Sequence, residues 1–204
     1  MNKQITKYES GKYSRILLCN IAYMKQYCGI DYEDKPQSTV EYVEETGNAT
    51  EKYNFLPGDD CIVRGYVSTK HRAGWNTPGR IPNQIRIERI DKSYKNKETI
   101  DDVLVVFFAT HEKEKCMVGW YEHATVLRHR KEYIRNGETI PYSIFTKAGN
   151  EFLIPKGKRN YVIGSAKKGE FGFGQSNIRY INTPAGEAEA IKMENYINSI
   201  KAGR

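Results

Sequence analysis

Gly119, Trp120 and Tyr121 stand together in a strand-like run of a basic chain. Two large aromatics beside a glycine form a candidate surface for stacking a nucleic-acid base. A glycine inside a strand marks a bulge or the close approach of another backbone. A second reading stays open at the same residues: Trp120 and Tyr121 alternate across a strand, one in the core and one at its rim. Farther along, Gln175, Ser176 and Asn177 make a polar cluster after the glycine-rich Gly169–Gly174. These side chains could contact a base or a phosphate, or cap the turn by bonding to main chain.

Hydrolytic chemistry finds little purchase. The four histidines, His71, His111, His123 and His129, have no Cys or Asp at metal-ligand spacing. Glu33-Asp34-Lys35 spells one nuclease string without the upstream acid on a core strand that such a site needs. Gly172-Phe173-Gly174 lacks the lysine of a phosphate-binding loop, and no serine sits at a nucleophile elbow. The residues predict a binder with no catalytic site, no metal and no cofactor. A metal-independent RNase using His111 or His123 with a lysine is the alternative from another class, and a subunit that recruits a nuclease by protein contact is a further one.

The elements that must position these groups read as mixed α and β. Strands are predicted at Ile16–Ala22, Cys61–Ser68, Gln84–Ile90, Val103–Ala109, Lys115–Tyr121 and Ala124–Arg128, the last two separated by a tight turn at Glu122–His123. Shorter ones follow at Tyr142–Lys147, Glu151–Ile154 and Asn160–Ile163, with an edge strand at Ile178–Ile181. Tyr23–Tyr27 begins a helix or tight turn. Asp31–Asp60 reads as a long loop with one short element near Val40–Val43, and Asp91–Asp102 as a charged turn or short helix. Thr69–Asn83, with two glycines and two prolines around Trp75, is a loop. Thr183 caps a helix over Pro184–Ile200, with Pro184 at its first position and Ala190, Met193, Ile197 and Ile200 as its apolar stripe. Residues 1–13 form a flexible lead-in and 14–204 one domain. The fold class is α/β in the α+β sense, with a curved, barrel-like sheet of about five to seven strands.

Charge is segregated along the chain. The net charge is +7 over 204 residues, yet Asp31–Asp60 carries nine acids against two bases. Arg64–Ile90 carries six Lys or Arg and one Glu, and Phe152–Lys168 five and no acid. Such segregation favours a face that meets a polyanion, most often nucleic acid; a solvated coat of lysines is the other reading. Lys70, Arg72, Arg80, Lys156, Lys158, Lys167 and Lys168 are the candidate phosphate contacts. Cys19, Cys28, Cys61 and Cys116 show no CxxC spacing, and Cys19 and Cys116 read as buried small hydrophobes. With no apolar run of membrane-spanning length, a reduced, cytoplasmic setting follows, with no membrane partner.

Several blocks carry a resemblance. RILLCNIAYMKQYCG (Arg15–Gly29), VEETGNATEKYNFLP (Val43–Pro57), DDVLVVFFAT (Asp101–Thr110), MVGWYEHATVLR (Met117–Arg128) and GFGQSNIRYIN (Gly172–Asn182) resemble, in order, the N-terminal specificity domain of bacterial HNH-type, modification-dependent restriction endonucleases. More distantly the layout is similar to the PUA-like superfamily, including EVE and YTH domains, which hold one flipped, modified base in an aromatic pocket. Gln37–Tyr42, QSTVEY, departs from the glycine-rich stretch that the pattern has there. The resemblance implies a PUA-like or EVE-like curved mixed sheet or partial barrel with flanking helices and a C-terminal helix. It also implies a non-catalytic reader of a modified base in double-stranded DNA, serving a restriction or phage-defence system beside a nuclease domain or subunit. Its pocket would lie between Asn20 and Tyr23 on one side and Tyr53, Asn54 and Phe55 on the other, with Trp120 as the third aromatic. Lys52–Phe55, KYNF, is similar to a cage-bearing loop of YTH domains. Stacking contributes roughly 1–3 kcal/mol per base, so two rings could offset the few kcal/mol that extrusion costs.

Overall fold

A computed structural model describes residues 13–31, 33–37, 49–69, 84–166 and 169–203. Most of the lead-in, the segment around Val40–Val43, most of the Trp75 loop, and Lys70, Arg72, Arg80, Lys167 and Lys168 lie outside the described residues.

The chain is a mixed α+β fold built on one seven-stranded sheet. The strands are β1 (Ile16–Ile21), β2 (Ile62–Gly65), β3 (Thr99–His111), β4 (Glu114–Arg135), β5 (Glu138–Lys147), β6 (Glu151–Leu153) and β9 (Ile178–Tyr180), while β7 (Gly164–Ser165) and β8 (Gly172–Phe173) make a separate small parallel pair. The order across the large sheet is β2-β5-β4-β3-β1-β9, with β6 also on β4. β1 runs parallel to β3, the other pairings are antiparallel, and β9 is an edge. The sheet has seven strands, within the expected five to seven, and is not closed into a barrel. The expected pairing of Val103–Ala109 with Lys115–Tyr121 as central neighbours is found.

The continuous apolar runs of β1 and β3 have a simple cause: both faces of the sheet are covered. Leu17, Cys19, Val105, Phe107 and Tyr121 belong to one core with Tyr23, Tyr27 and Phe55. Ile16, Leu18, Val106, Phe108 and Trp120 belong to a second core with Ala190, Met193 and Ile197. Those last residues come from helix α1 (Pro184–Ala202), whose first turn is capped by Thr183 Oγ1 accepting from Gly186 N–H at 3.1 Å. Among the described residues α1 is the only α-helix. The other helical pieces are single 3-10 turns at Thr50–Tyr53, Ile87–Arg89, Lys92–Tyr94 and Lys156–Lys158. No described helix is long and apolar enough to cross a membrane.

Three further readings of the sequence need correction. Glu122–His123 does not end a strand; β4 runs through it as a bulge, with Glu122 and His123 opposite the single residue Leu104 between the pairs Val105–Tyr121 and Val103–Ala124. His123 takes φ +49 there and Asp102, across the bulged ladder, takes φ +57. Gln84–Ile90 is no strand: Gln84 makes one bridge to His129 and the chain then turns through Ile87–Arg89. The physical reason is that only Ile85 and Ile87 are buried, enough to anchor a turn but not a ladder. Asn160–Ile163 likewise contributes one bridge, Val162 to Cys116. A bulge at Val118, between the pairs Phe107–Gly119 and Phe108–Met117, confirms Gly119 as the mark of an irregularity.

Candidate nucleic-acid interface

Asn20 interrupts an apolar strand near its end, and the structure shows what that amide does. The backbone N–H of Asn20 donates to Asn177 O at 2.7 Å. Its Nδ2 donates to Asn177 Oδ1 at 3.1 Å, and Asn177 Nδ2 donates to Ser68 O at 3.1 Å. Lys115 Nζ donates to Asn20 Oδ1 and, at 3.1 Å, to Thr110 Oγ1. Lys115 and Thr110 face each other across the β3–β4 ladder, so that ladder aims the ammonium at β1. The same ammonium lies 5.3 Å from the Phe173 ring centroid, a cation–π distance. Burial lowers the Lys115 pKa to about 8, because desolvation penalises the charged form. Gln175 and Ser176 are exposed beside Asn177, with Ser176 Oγ accepting from Ile178 N–H at 3.2 Å. Three separate stretches, at the ends of β1, β3–β4 and β8–β9, thus meet in one polar network, and Ser68 joins it just before the basic stretch Lys70–Arg80 begins in sequence.

The six residues assigned to a base pocket are dispersed. Tyr23 is buried in the first core, stacked on His111 with ring centroids 4.1 Å apart and an interplanar angle of 4°. The Arg159 guanidinium lies 5.2 Å from the Tyr23 ring centroid. Phe55 is in the same core, edge-on to Phe107 and Tyr121. Trp120 is 1% exposed in the second core, stacked on Phe152 at 4.3 Å, so the sheet separates it from Phe55. Trp120 and Tyr121 do alternate across the strand, yet both are buried and neither is a rim residue. Tyr53 is half-buried under Lys52 and Arg135, each 5.2 Å from its ring centroid.

Asn54 is a structural pin. Its Nδ2 donates to Tyr66 O and its Oδ1 accepts from Tyr66 N–H, both at 2.9 Å, and the residue is 1% exposed. Asn54→Ala is expected to destabilise the protein by about 2 kcal/mol, since it strands two main-chain groups away from water. Urea unfolding measures this; a change below about 0.5 kcal/mol would refute the pin.

Among the candidate phosphate contacts inside the described residues, Lys156 and Lys158 are exposed on one 3-10 turn. That turn is held to α1 by Tyr196 Oη donating to Lys158 O at 2.6 Å. Asp34, from the nuclease-like string, is buried and accepts from the backbone N–H groups of Lys25, Gln26 and Tyr27, the last two at 2.7 and 3.0 Å. It closes the turn after β1. His123 Nδ1 lies 2.8 Å from Asp102 Oδ1 at the bulge, with both side chains largely exposed. No group of three or more potential metal ligands occurs among the described residues. Lys115 is the residue that sequence reasoning missed. Its signal was a lysine at the start of β4, one pair in from the hairpin turn and opposite a threonine.

Comparison with known proteins adds no further constraint: no family model, no curated protein and no solved structure matches the chain.

Proposed function

We propose that this chain is a non-catalytic nucleic-acid-binding module that reads a modified base in DNA. The observation that carries the reading is the Asn20–Lys115–Asn177 network at one end of the sheet. It sets amide and ammonium donors beside the Phe173 ring and the exposed Gln175 and Ser176. An extruded base needs such edge donors; Phe173 itself is buried in the second core and supports the ammonium from beneath. The segregated positive charge supports the phosphate half of the binding. This reading places the base against Asn20 rather than between Trp120 and Phe55, which the sheet keeps apart. A nuclease domain or subunit is the expected partner of a reader of this kind.

The test is fluorescence anisotropy on duplexes that differ only in one modified base. The chain is expected to prefer one modification over plain duplex by about tenfold or more, the scale of a methyl-sized discrimination. Asn20→Ala is expected to remove that preference and keep the salt-dependent background. Equal affinity for plain duplex and every modified duplex rejects the reading.

One observation favours a second reading. The Asp102–His123 pair has the geometry of a carboxylate orienting an imidazole for proton transfer. Cleavage of RNA by the isolated chain without added metal, abolished by His123→Ala, would establish it in place of the reader.

A further inference from the structure

An asparagine amide ordinarily tests a ligand with both a donor and an acceptor. At Asn20 one of the two acceptor positions of the amide oxygen is already used. Oδ1 accepts from Lys115, and one Nδ2 hydrogen goes to Asn177. The neighbouring oxygens each accept one bond as well: Asn177 Oδ1 from Asn20, Ser68 O from Asn177, and Thr110 Oγ1 from Lys115. An ammonium has three hydrogens and an amide nitrogen two. Beyond these bonds the network has one N–H each of Asn20, Asn177 and Lys115 to offer. Lys115 is also a half-buried cation with no carboxylate paired to it among the described residues. Taking such a charge out of water is costly until a counter-charge or strong acceptor arrives.

We infer that the Asn20–Lys115 site holds a group that only accepts hydrogen bonds, an oxygen or unprotonated ring nitrogen carrying negative charge, and that Lys115 selects it. This rests on the reading of the chain as a nucleic-acid binder. Two parts of a nucleic acid carry that chemistry: a backbone phosphate and the acceptor edge of an extruded base. A ligand that offers only N–H groups leaves these ammonium and amide donors unmatched and is disfavoured, because unmatched donors lose their water for nothing.

Binding then depends on pH in a defined direction. Lys115 is protonated below about 8 and loses its proton as pH rises through that value. A ligand that binds the charged form therefore binds best on the acid side and weakens on the alkaline side. Few other groups interfere. Cys116 follows Lys115 in β4 and its thiol is pushed up by burial, so it stays neutral over the same range. Glu112 is exposed in the adjoining turn and Glu114 at the first position of β4, and His111 faces Tyr23 in the other core. From β1 and β8 the packing groups are Asn20 and Phe173, which do not titrate.

The experiment measures anisotropy of a fluorescein-labelled DNA duplex against pH, for the full chain and for Lys115→Met and Lys115→Arg. The unmodified chain is expected to lose affinity as pH rises through about 8. Lys115→Met should bind about tenfold more weakly at neutral pH with a flat profile, and Lys115→Arg should restore binding and keep the profile flat. A purely structural lysine would move thermal stability but not the pH profile. Inorganic phosphate at matched ionic strength separates the two sources. Competition assigns the acceptor to the backbone; no competition, together with loss of the pH dependence on an abasic duplex, assigns it to a base. If Lys115→Met keeps the wild-type affinity and profile while Asn20→Ala still loses discrimination, the inference fails and the reader stands. If the unmodified chain binds no duplex, the reader fails and the inference with it.

Discussion

Gly119→Ala is expected to lower the unfolding free energy by about 3 kcal/mol, the upper end of the usual cost of overpacking. A Cβ at this position would lie 2.3 Å from Phe152 O and 2.6 Å from the Phe55 ring. The first neighbour is the backbone of β6, which pairs with β4 here, Leu153 opposite Gly119 and Phe152 opposite Trp120. It cannot move without opening that ladder. The second is a ring held among Tyr27, Phe107 and Tyr121. The glycine therefore lets β6 and Phe55 both close on the bulge at Val118. Gly157→Ala is the control, because a Cβ there meets nothing within 4 Å, and it should change stability by less than about 0.5 kcal/mol. Urea denaturation of both variants decides the matter. Equal stability of the two would show that the bulge absorbs the methyl.

Arg159→Met should have a comparable effect for a polar reason. The guanidinium is 9% exposed and donates from Nε to Ile154 O at 2.8 Å, from Nη1 to Met24 O at 2.7 Å and from Nη2 to Lys25 O at 2.6 Å. Methionine fills much of the volume but satisfies none of these carbonyls. The expected loss is about 3 kcal/mol, within the range for removing one member of a buried charged network. The turn after β1 would lose its tie to the segment beyond β6, and Tyr23 the cation over its ring. The proposed nucleic-acid binding should fall with it, since that turn directly follows the strand that carries Asn20. Denaturant unfolding and anisotropy on the same preparation check both parts; wild-type stability would refute the first.

What was legible in the sequence follows from where each signal arises. β1, β3 and the front of β4 were readable because burial on both faces leaves an uninterrupted apolar run, and α1 because Thr183, Pro184 and its stripe are local signals. The joins were not readable. The bulge at Glu122–His123 looks like a turn from one strand alone, because only the register against β3 shows that the ladder continues. Gln84–Ile90 alternates enough to suggest a strand, but too few of its residues are buried to sustain one. The site divides in the same way. Asn20 and Asn177 were marked individually as polar residues beside apolar elements. Their bond to each other, and the arrival of Lys115 between Asn20 and Thr110, depend on packing that brings β1, β4 and β9 to one end of the sheet. Trp120 was conspicuous by size, and size is equally what a core demands.

The parallel pairing of β1 with β3 sets an order of events during synthesis. Ile16 pairs with Leu104 and Leu17 with Tyr180. The strand that carries Asn20 therefore leaves the ribosome early but has no partner on one edge until β3 is made, and none on the other until β9 is. Long-range pairings of this kind fold slowly, because loop closure is paid before any contact rewards it. Until β3 and then β9 have been made, the apolar strand Ile16–Ile21 keeps an unpaired edge, open to association with other chains. The contact between Asn20 and Asn177 consequently waits for the segment before β9, and a nascent chain that has not reached Asn177 cannot make it.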